Sequence, residues 1–273
     1  MKRWKINYTI TAKSEYNCPN FSKVVTVCDA IVPLTPCNVY DAHTTTDYTS
    51  ETGGVETLKS DAQIDSVYDQ NGNVYPVMQI GKQCWMAENL RTTAYSTSLP
   101  NHPSLTYNHA SGDDDGKTYG YYYSWTAVMA MGGAGASGYA QGICPKGWHV
   151  PTATDLALLI TNAGASGAAG KLVKGCDWYQ SNSGVVPGNY DYAVRNSSGF
   201  GAFPAGYYWN TNGQDFRKAA YFWSRNIYGT AKAQALRLGF ADSNPVMINC
   251  SFNQGMSVRC VREIVRFPVL PAK

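Results

Sequence analysis

The chain has 273 residues and a mass of 29.8 kDa, room for one large domain or two small ones. Charged residues make up 15% and aromatics 13%, which excludes long solvated helices, coiled coils and a disordered chain. The net charge of +3 comes without a dense Lys/Arg run, which argues against nucleic acid as a partner, and no stretch reaches the roughly 18 apolar residues of a membrane span.

In chain order, Met1-Lys2-Arg3 runs straight into Trp4-Lys5-Ile6-Asn7 with no apolar core of a signal peptide. Either the chain begins inside a longer precursor, or it leaves its cell by another route, as a virion component does. Ile6, Tyr8, Ile10 and Ala12 alternate as on a strand, and Val24, Val25 and Val27 mark a second strand. Residues 1–42 therefore read as a β-rich segment, the end of a preceding domain or strands added to the main one. Residues 43–60 are polar and aperiodic and read as a linker, and residues 61–273 form the main domain.

Eight cysteines occur (Cys18, Cys28, Cys37, Cys84, Cys144, Cys176, Cys250 and Cys260), and none of their spacings fits a structural zinc site. Disulfides formed in an oxidising compartment are the expectation, with connectivity left open.

In the main domain, Asn71-Gly72 between short apolar runs predicts a hairpin with a type I′ turn. Asp69, Asn71 and Asn73 resemble the start of a calcium loop. Lys82 occupies the place of its bidentate Glu, so a turn is expected rather than a metal site. Short helices are predicted over Met86 to Leu90 and over Trp125 to Met131, the second stopped by Gly132-Gly133. A third is expected from residue 153 to Gly164, opened by the capping-box pattern Thr152-Ala153-Thr154-Asp155. From Tyr192 onward the chain reads as short strands and aromatic turns. The fold class is α+β with irregular loops.

Chemistry-bearing patterns are sparse. Gly164 to Lys171 fails the phosphate-loop spacing, with Leu172 in place of the magnesium-binding hydroxyl. Cys144 and His149 read as a disulfide cysteine beside a packed Trp-His pair, and Asp113-Asp114-Asp115-Gly116 as an acidic turn rather than a calcium site. No active-site constellation stands out, so no enzyme activity, cofactor or metal is expected. The C-terminal third instead has the vocabulary of recognition: Tyr and Trp give contact area for few rotatable bonds, and Ser, Asn and Gly give adaptable hydrogen bonding. The candidate ligand-binding residues are Arg225, Asn226, Tyr228, Lys232, Gln234, Arg237, Asn249, Ser251, Phe252 and Asn253. Residues 233–240 read as a strand with Leu238 and Phe240 inward and Arg237 toward the binding side.

Six motifs in order resemble one family. They are Tyr68-Asp69-Gln70-Asn71-Gly72-Asn73-Val74-Tyr75 with Ile80-Gly81-Lys82-Gln83-Cys84-Trp85-Met86-Ala87-Glu88-Asn89-Leu90-Arg91; Tyr119-Gly120-Tyr121-Tyr122-Tyr123-Ser124-Trp125; Gly142 to Thr152; Gly199 to Gly206; Phe222-Trp223-Ser224; and Gly255 to Val261. The chain from about residue 67 to 263 is similar to the Fibrobacter succinogenes major paralogous domain. The resemblance implies a C-type-lectin-like fold, shared with formylglycine-generating enzymes and with variable proteins diversified by retroelements. It also implies a rigid scaffold of Trp, Gly and Cys residues, recognition by C-terminal loops and strands, and a place outside the cell, on a cell surface or a virion. The ligand would be a protein or glycan on a cell surface. Where the family reads Trp-Ser-Ser-Thr, this chain has Trp223-Ser224-Arg225-Asn226.

The calcium motifs of sugar-binding C-type lectins are missing, which sets calcium-dependent sugar binding aside. The alternatives are a formylglycine-generating-type metal-dependent oxidase, for which Cys250 and Cys260 would have to hold copper, and a structural pilus or cell-wall module.

Overall fold

The computed structural model describes residues 63–95, 107–110, 113, 116–130, 141–174, 178–179 and 196–264, with three short strands before them. Those strands are β1 (Cys37–Asn38), β2 (Tyr48–Thr49) and β3 (Val55–Glu56). β2 and β3 pair inside the stretch read as a linker. β1 pairs with β4 (Gln63–Ile64), Cys37 is fully buried, and a disulfide joins it to Cys84. At Cys37, then, the segment before residue 43 is part of the main domain's core. The strands expected at residues 5–12 and around Val24 lie outside the described residues.

β5 (Ser66–Tyr68), β6 (Val74–Ile80), β7 (Gln83–Met86) and the final strand form a four-stranded antiparallel sheet. The β5–β6 hairpin is as predicted, but its turn is not type I′. Gly72 alone adopts positive φ (+76°), the Gly72 N–H returns to the Asp69 carbonyl at 3.0 Å, and the Asp69 N–H reaches the Asn73 carbonyl at 3.1 Å. This is the three-residue loop closed by a left-handed glycine. The Asp69 carboxylate accepts from the backbone N–H of Asn71 (2.9 Å) and Asn73 (3.0 Å) and from the Tyr75 hydroxyl (2.6 Å). Its oxygens are engaged within the turn predicted at this position.

The helix expected over Met86 to Leu90 is absent. Met86 ends β7, and the N–H groups of Met86, Ala87 and Leu90 donate to the carbonyls of Cys260, Pro76 and Val258. Residues with fair helix propensity are held by long-range backbone pairing instead.

β8 (Tyr107–His109) pairs with β9 (Tyr121–Tyr123). Helix α1 covers only Trp125–Val128, capped by Ser124, and the chain turns at Ala130, whose φ is +52°. Helix α2 (Ala153–Asn162) carries the predicted capping box in full: the Thr152 hydroxyl accepts from the Asp155 N–H, and the Asp155 carboxylate accepts from the Thr152 N–H. α3 (Ala168–Leu172) follows.

The C-terminal third opens with the hairpin of β10 (Tyr207–Trp209) and β11 (Asn212–Gln214). Its two-residue loop, Asn210-Thr211, has positive φ at both positions (48° and 66°), the conformation that had been expected at Asn71-Gly72. Gly206 lies under this hairpin. A Cβ there would come within 2.1 Å of the Gln214 carbonyl oxygen, so glycine is required. β12 (Ala219–Tyr228), β13 (Lys232–Gly239) and β14 (Val246–Ser251) form a three-stranded antiparallel sheet, and β15 (Val261–Glu263) closes the first sheet against β7.

Both main sheets lie between two apolar cores. Tyr75, Val77, Tyr221, Trp223, Ala233 and Ala235 belong to one core; Met78, Trp85, Phe222, Leu236 and Leu238 belong to the other, with α2 and α3. Strand alternation sends neighbouring residues to opposite cores, which is why β12 opens as the unbroken buried run Ala219-Ala220-Tyr221-Phe222-Trp223-Ser224. The architecture is mostly β with three short helices among the described residues, as expected of the α+β class.

The family's aromatic and basic landmarks are scaffold. Trp85, Trp125, Trp148 and Trp223 are all buried. The Trp223 indole N–H donates to the Tyr123 carbonyl and that of Trp125 to the Ser224 carbonyl, both at 2.8 Å. Arg259 is 1% exposed, yet no carboxylate bonds it. Its guanidinium donates to the carbonyls of Phe200, Gly201 and Met86 and to Asn89 Oδ1, and it lies over the rings of Phe200 (4.4 Å) and Phe222 (5.4 Å).

Candidate functional site

The three-stranded sheet leaves the double core at one end. Along β12 the residues are buried through Ser224, and from Arg225 to Tyr228 they meet solvent. The register then sets five of the candidates on one face. Tyr228 pairs with Lys232, Lys232 with Ser251, and Gln234 with Asn249. Directly paired residues share a face, with Cβ atoms roughly 5 Å apart, and the next same-face position along a strand lies roughly 7 Å away. The next row, Phe222, Leu236 and Met247, belongs to or packs against the core that α2 covers. The exposed rows thus continue a rigid, covered sheet, and Tyr228 is 56% exposed at their corner.

The other five candidates have different neighbours. Arg225 and Asn226 form part of an irregularity in β12 between Trp223 and Ile227. The Arg225 N–H donates to the Pro151 carbonyl, and the Asn226 Oδ1 accepts from the Ala153 N–H, each at 2.8 Å. Asn226 therefore caps the start of α2 from another strand. The departure from the family's Trp-Ser-Ser-Thr falls where the sheet is fastened to that helix. Phe252 stacks on Trp125 with ring centroids 4.4 Å apart, and Asn253 lies in the following exposed turn, its N–H on the Ser251 hydroxyl at 3.4 Å.

Arg237 departs from expectation. It pairs with Tyr221, on the face opposite Lys232 and Gln234. Its guanidinium donates to the Tyr221 hydroxyl at 3.3 Å and meets the Asp242 carboxylate at 2.5 Å, while the Tyr221 hydroxyl donates to Asp215 at 2.5 Å. Leu238 is indeed buried, but on the opposite side Arg237 is only about a third exposed and is engaged by Tyr221 and Asp242, away from the other candidates.

A disulfide joins Cys144 to Cys260, which takes Cys260 out of the copper pair the oxidase alternative needs. Cys250 is a free, buried thiol; burial pushes it up to about 11, with Lys232 opposing, so it stays protonated and a poor nucleophile. Among the described residues no group of three or more His, Cys, Asp or Glu could hold a metal ion. His149 is paired with Asp155 at 3.3 Å as part of the α2 cap, beside the buried Trp148 and the disulfide cysteine Cys144. Burial raises the Asp155 carboxyl, but hydrogen bonds from His149 and from the Thr152 side chain and backbone outweigh it, leaving it at about 2. The Gln83 amide donates to its other oxygen at 2.9 Å, so this carboxylate is a structural strut between β7 and α2. No described helix is long and apolar enough to cross a membrane.

What the sequence missed is the fastening role of Asn226; only a long-range contact reveals it. Neither the curated proteins nor the solved structures gave a match. The family model described as the Fibrobacter succinogenes major domain matches residues 78–262, more than half of the chain, a span that holds β7, the whole β12–β14 sheet, the Cys144–Cys260 disulfide and the buried Arg259. The chain belongs to the Fibrobacter succinogenes major domain family.

Proposed function

We propose that the protein is a ligand-binding adhesin or receptor-recognition protein of a cell surface or virion. Its β12–β14 face takes a protein or glycan, and its scaffold is of the C-type-lectin-like kind. The observation that carries the reading is the register that brings Tyr228, Lys232, Gln234, Asn249 and Ser251 onto one exposed face of a sheet whose other end is buried on both sides. Rigid backing lowers the ordering cost of binding, and aromatic, amide and hydroxyl groups supply contact area and hydrogen bonds. The disulfides Cys37–Cys84 and Cys144–Cys260 accord with folding in an oxidising compartment, and so with a place outside the cell. The face contains Asn and Tyr, the residue types whose codons adenine-targeted mutagenesis randomises, and diversification by a retroelement is part of the proposal.

Labelled protein applied to cell panels and to glycan and protein arrays tests the reading. Binding is expected, and it should vanish in the Tyr228→Ala/Asn249→Ala double variant with an unchanged melting temperature. Binding that survives the double variant would move the site elsewhere. Sequences of the same locus from several isolates test diversification: substitutions concentrated at these face positions support it, and scattered ones remove it.

A further inference from the structure

We infer that this face takes a carboxylated saccharide and holds it without a metal ion. The inference rests on the ligand-binding reading above and names its ligand class.

Charge is the first ground. Between Ala219 and Val258 the charged residues are Arg225, Lys232, Arg237 and Asp242. Asp242 is taken up by Arg237 at the far end of the sheet, on the opposite face. Arg225 and Lys232 remain, both positive, and neither forms an ion pair among the described residues. Lys232 is exposed in the middle strand, flanked by Tyr228 on one side and Ser251 on the other. An exposed ammonium with no acid beside it, framed by neutral hydrogen-bonding groups, complements a single carboxylate.

The second ground is the pattern of neutral groups. The Gln234 and Asn249 amides each offer a donor and an acceptor, the pairing that adjacent sugar hydroxyls require. The Tyr228 ring, 56% exposed, gives a flat apolar surface for the C–H face of a sugar. A protein partner would ask for an apolar, fully desolvated centre with polar groups at the rim. Here the order is reversed, with Lys232, Gln234 and Asn249 central and Tyr228 and Met247 marginal. Finally, no Asp or Glu stands among the described residues paired on this face, so calcium would find no anionic ligand among them, and the carboxylate is met by Lys232 directly.

The test is calorimetry on the full chain in EDTA. It compares galacturonate oligomers with the corresponding neutral galactose oligomers, alongside a glycan array carrying other uronic and sialic acids with their reduced, neutral counterparts. Acidic saccharides are expected to bind at least about tenfold more tightly than neutral ones, a preference that added salt weakens. Lys232→Gln should erase the preference, Tyr228→Ala should weaken acidic and neutral sugars alike, and Lys82→Gln in the β6–β7 turn should change neither. Equal binding of acidic and neutral sugars overturns the charge argument, and a requirement for calcium overturns the metal-free one. Binding to cells or proteins but to no saccharide overturns this inference and leaves the ligand-binding reading standing. No binding to cells, proteins or saccharides sinks both.

Discussion

Arg259 lies over the Phe200 ring at 4.4 Å and donates to the Phe200 carbonyl, so one residue is both its stacking surface and its acceptor. Burial pulls this guanidinium down to about 9, with Glu88 opposing, and it remains charged at neutral pH. Arg259→Ala leaves the carbonyls of Phe200, Gly201 and Met86 without their donor in a dry core. A loss on the order of 3–5 kcal/mol is expected, a large part of a domain's stability. Arg259→Lys should rescue little, because an ammonium has three donors for the four acceptors and no planar face to lie over the rings. Urea denaturation of both variants checks this.

Asp155 makes an acid-side prediction. Its folded value of about 2 lies below its ordinary value of 3.8, so its stabilisation is complete above about pH 4 and is lost as pH falls through 2. The size is about 2 kcal/mol. Asp155→Asn should remove that increment at neutral pH and flatten the melting temperature against pH between 4 and 2, as read by calorimetry.

The alkaline limb should be governed by buried tyrosines. Burial raises Tyr75, Tyr122 and Tyr221, with Asp69, Asp113 and Asp215 adding to it respectively, and it pushes Tyr95 up to about 12. Their stabilisation is intact below pH 10, the ordinary tyrosine value, and declines as pH rises through the folded values. Solvent-exposed tyrosines ionise without unfolding, so the part of the tyrosinate absorbance that comes from the buried ones is expected as a late, cooperative rise that coincides with loss of the fold. Tyr95→Phe, which removes the hydroxyl bonded to the Ala127 carbonyl, should make that limb shallower.

The tip of the β10–β11 hairpin carries a correctable strain. Thr211 is β-branched with φ at +66°, where only glycine is at ease. Thr211→Gly is expected to stabilise by roughly 0.5–1 kcal/mol, a rise of about 2 °C in melting temperature. Asn210→Gly should gain less, since Asn tolerates this region.

What was legible in the sequence follows from how local each cause is. The Thr152–Asp155 capping box could be read because both partners lie within one turn, and the Asp69 turn because its carboxylate bonds Asn71, Asn73 and Tyr75, all within six residues. Met86 to Leu90 misled because its backbone is held by Pro76, Val258 and Cys260, which no short window contains. The alternation around Arg237 was read with the right parity. Its consequence differed because facing away from Leu238 puts Arg237 beside Tyr221 and Asp242, on the face opposite Lys232 and Gln234. Of the candidate site, Tyr228, Lys232, Gln234, Asn249 and Ser251 could be named from their types. That they share a face, while Asn226 and Arg237 are spent on α2 and on Tyr221 and Asp242, depends on strand register and on an irregularity in β12.

The Cys144–Cys260 bridge spans 116 positions of sequence, with the whole β10–β14 region between its ends. Where proteases reach the chain, its exposed segments at residues 210–218 and 229–231 are the natural places to be cut. Because either cut falls within the covalent ring, a chain cut once remains one molecule, its two pieces separable on a gel only after reduction. The β12–β14 sheet can thus be nicked once and still stay attached to the rest of the chain.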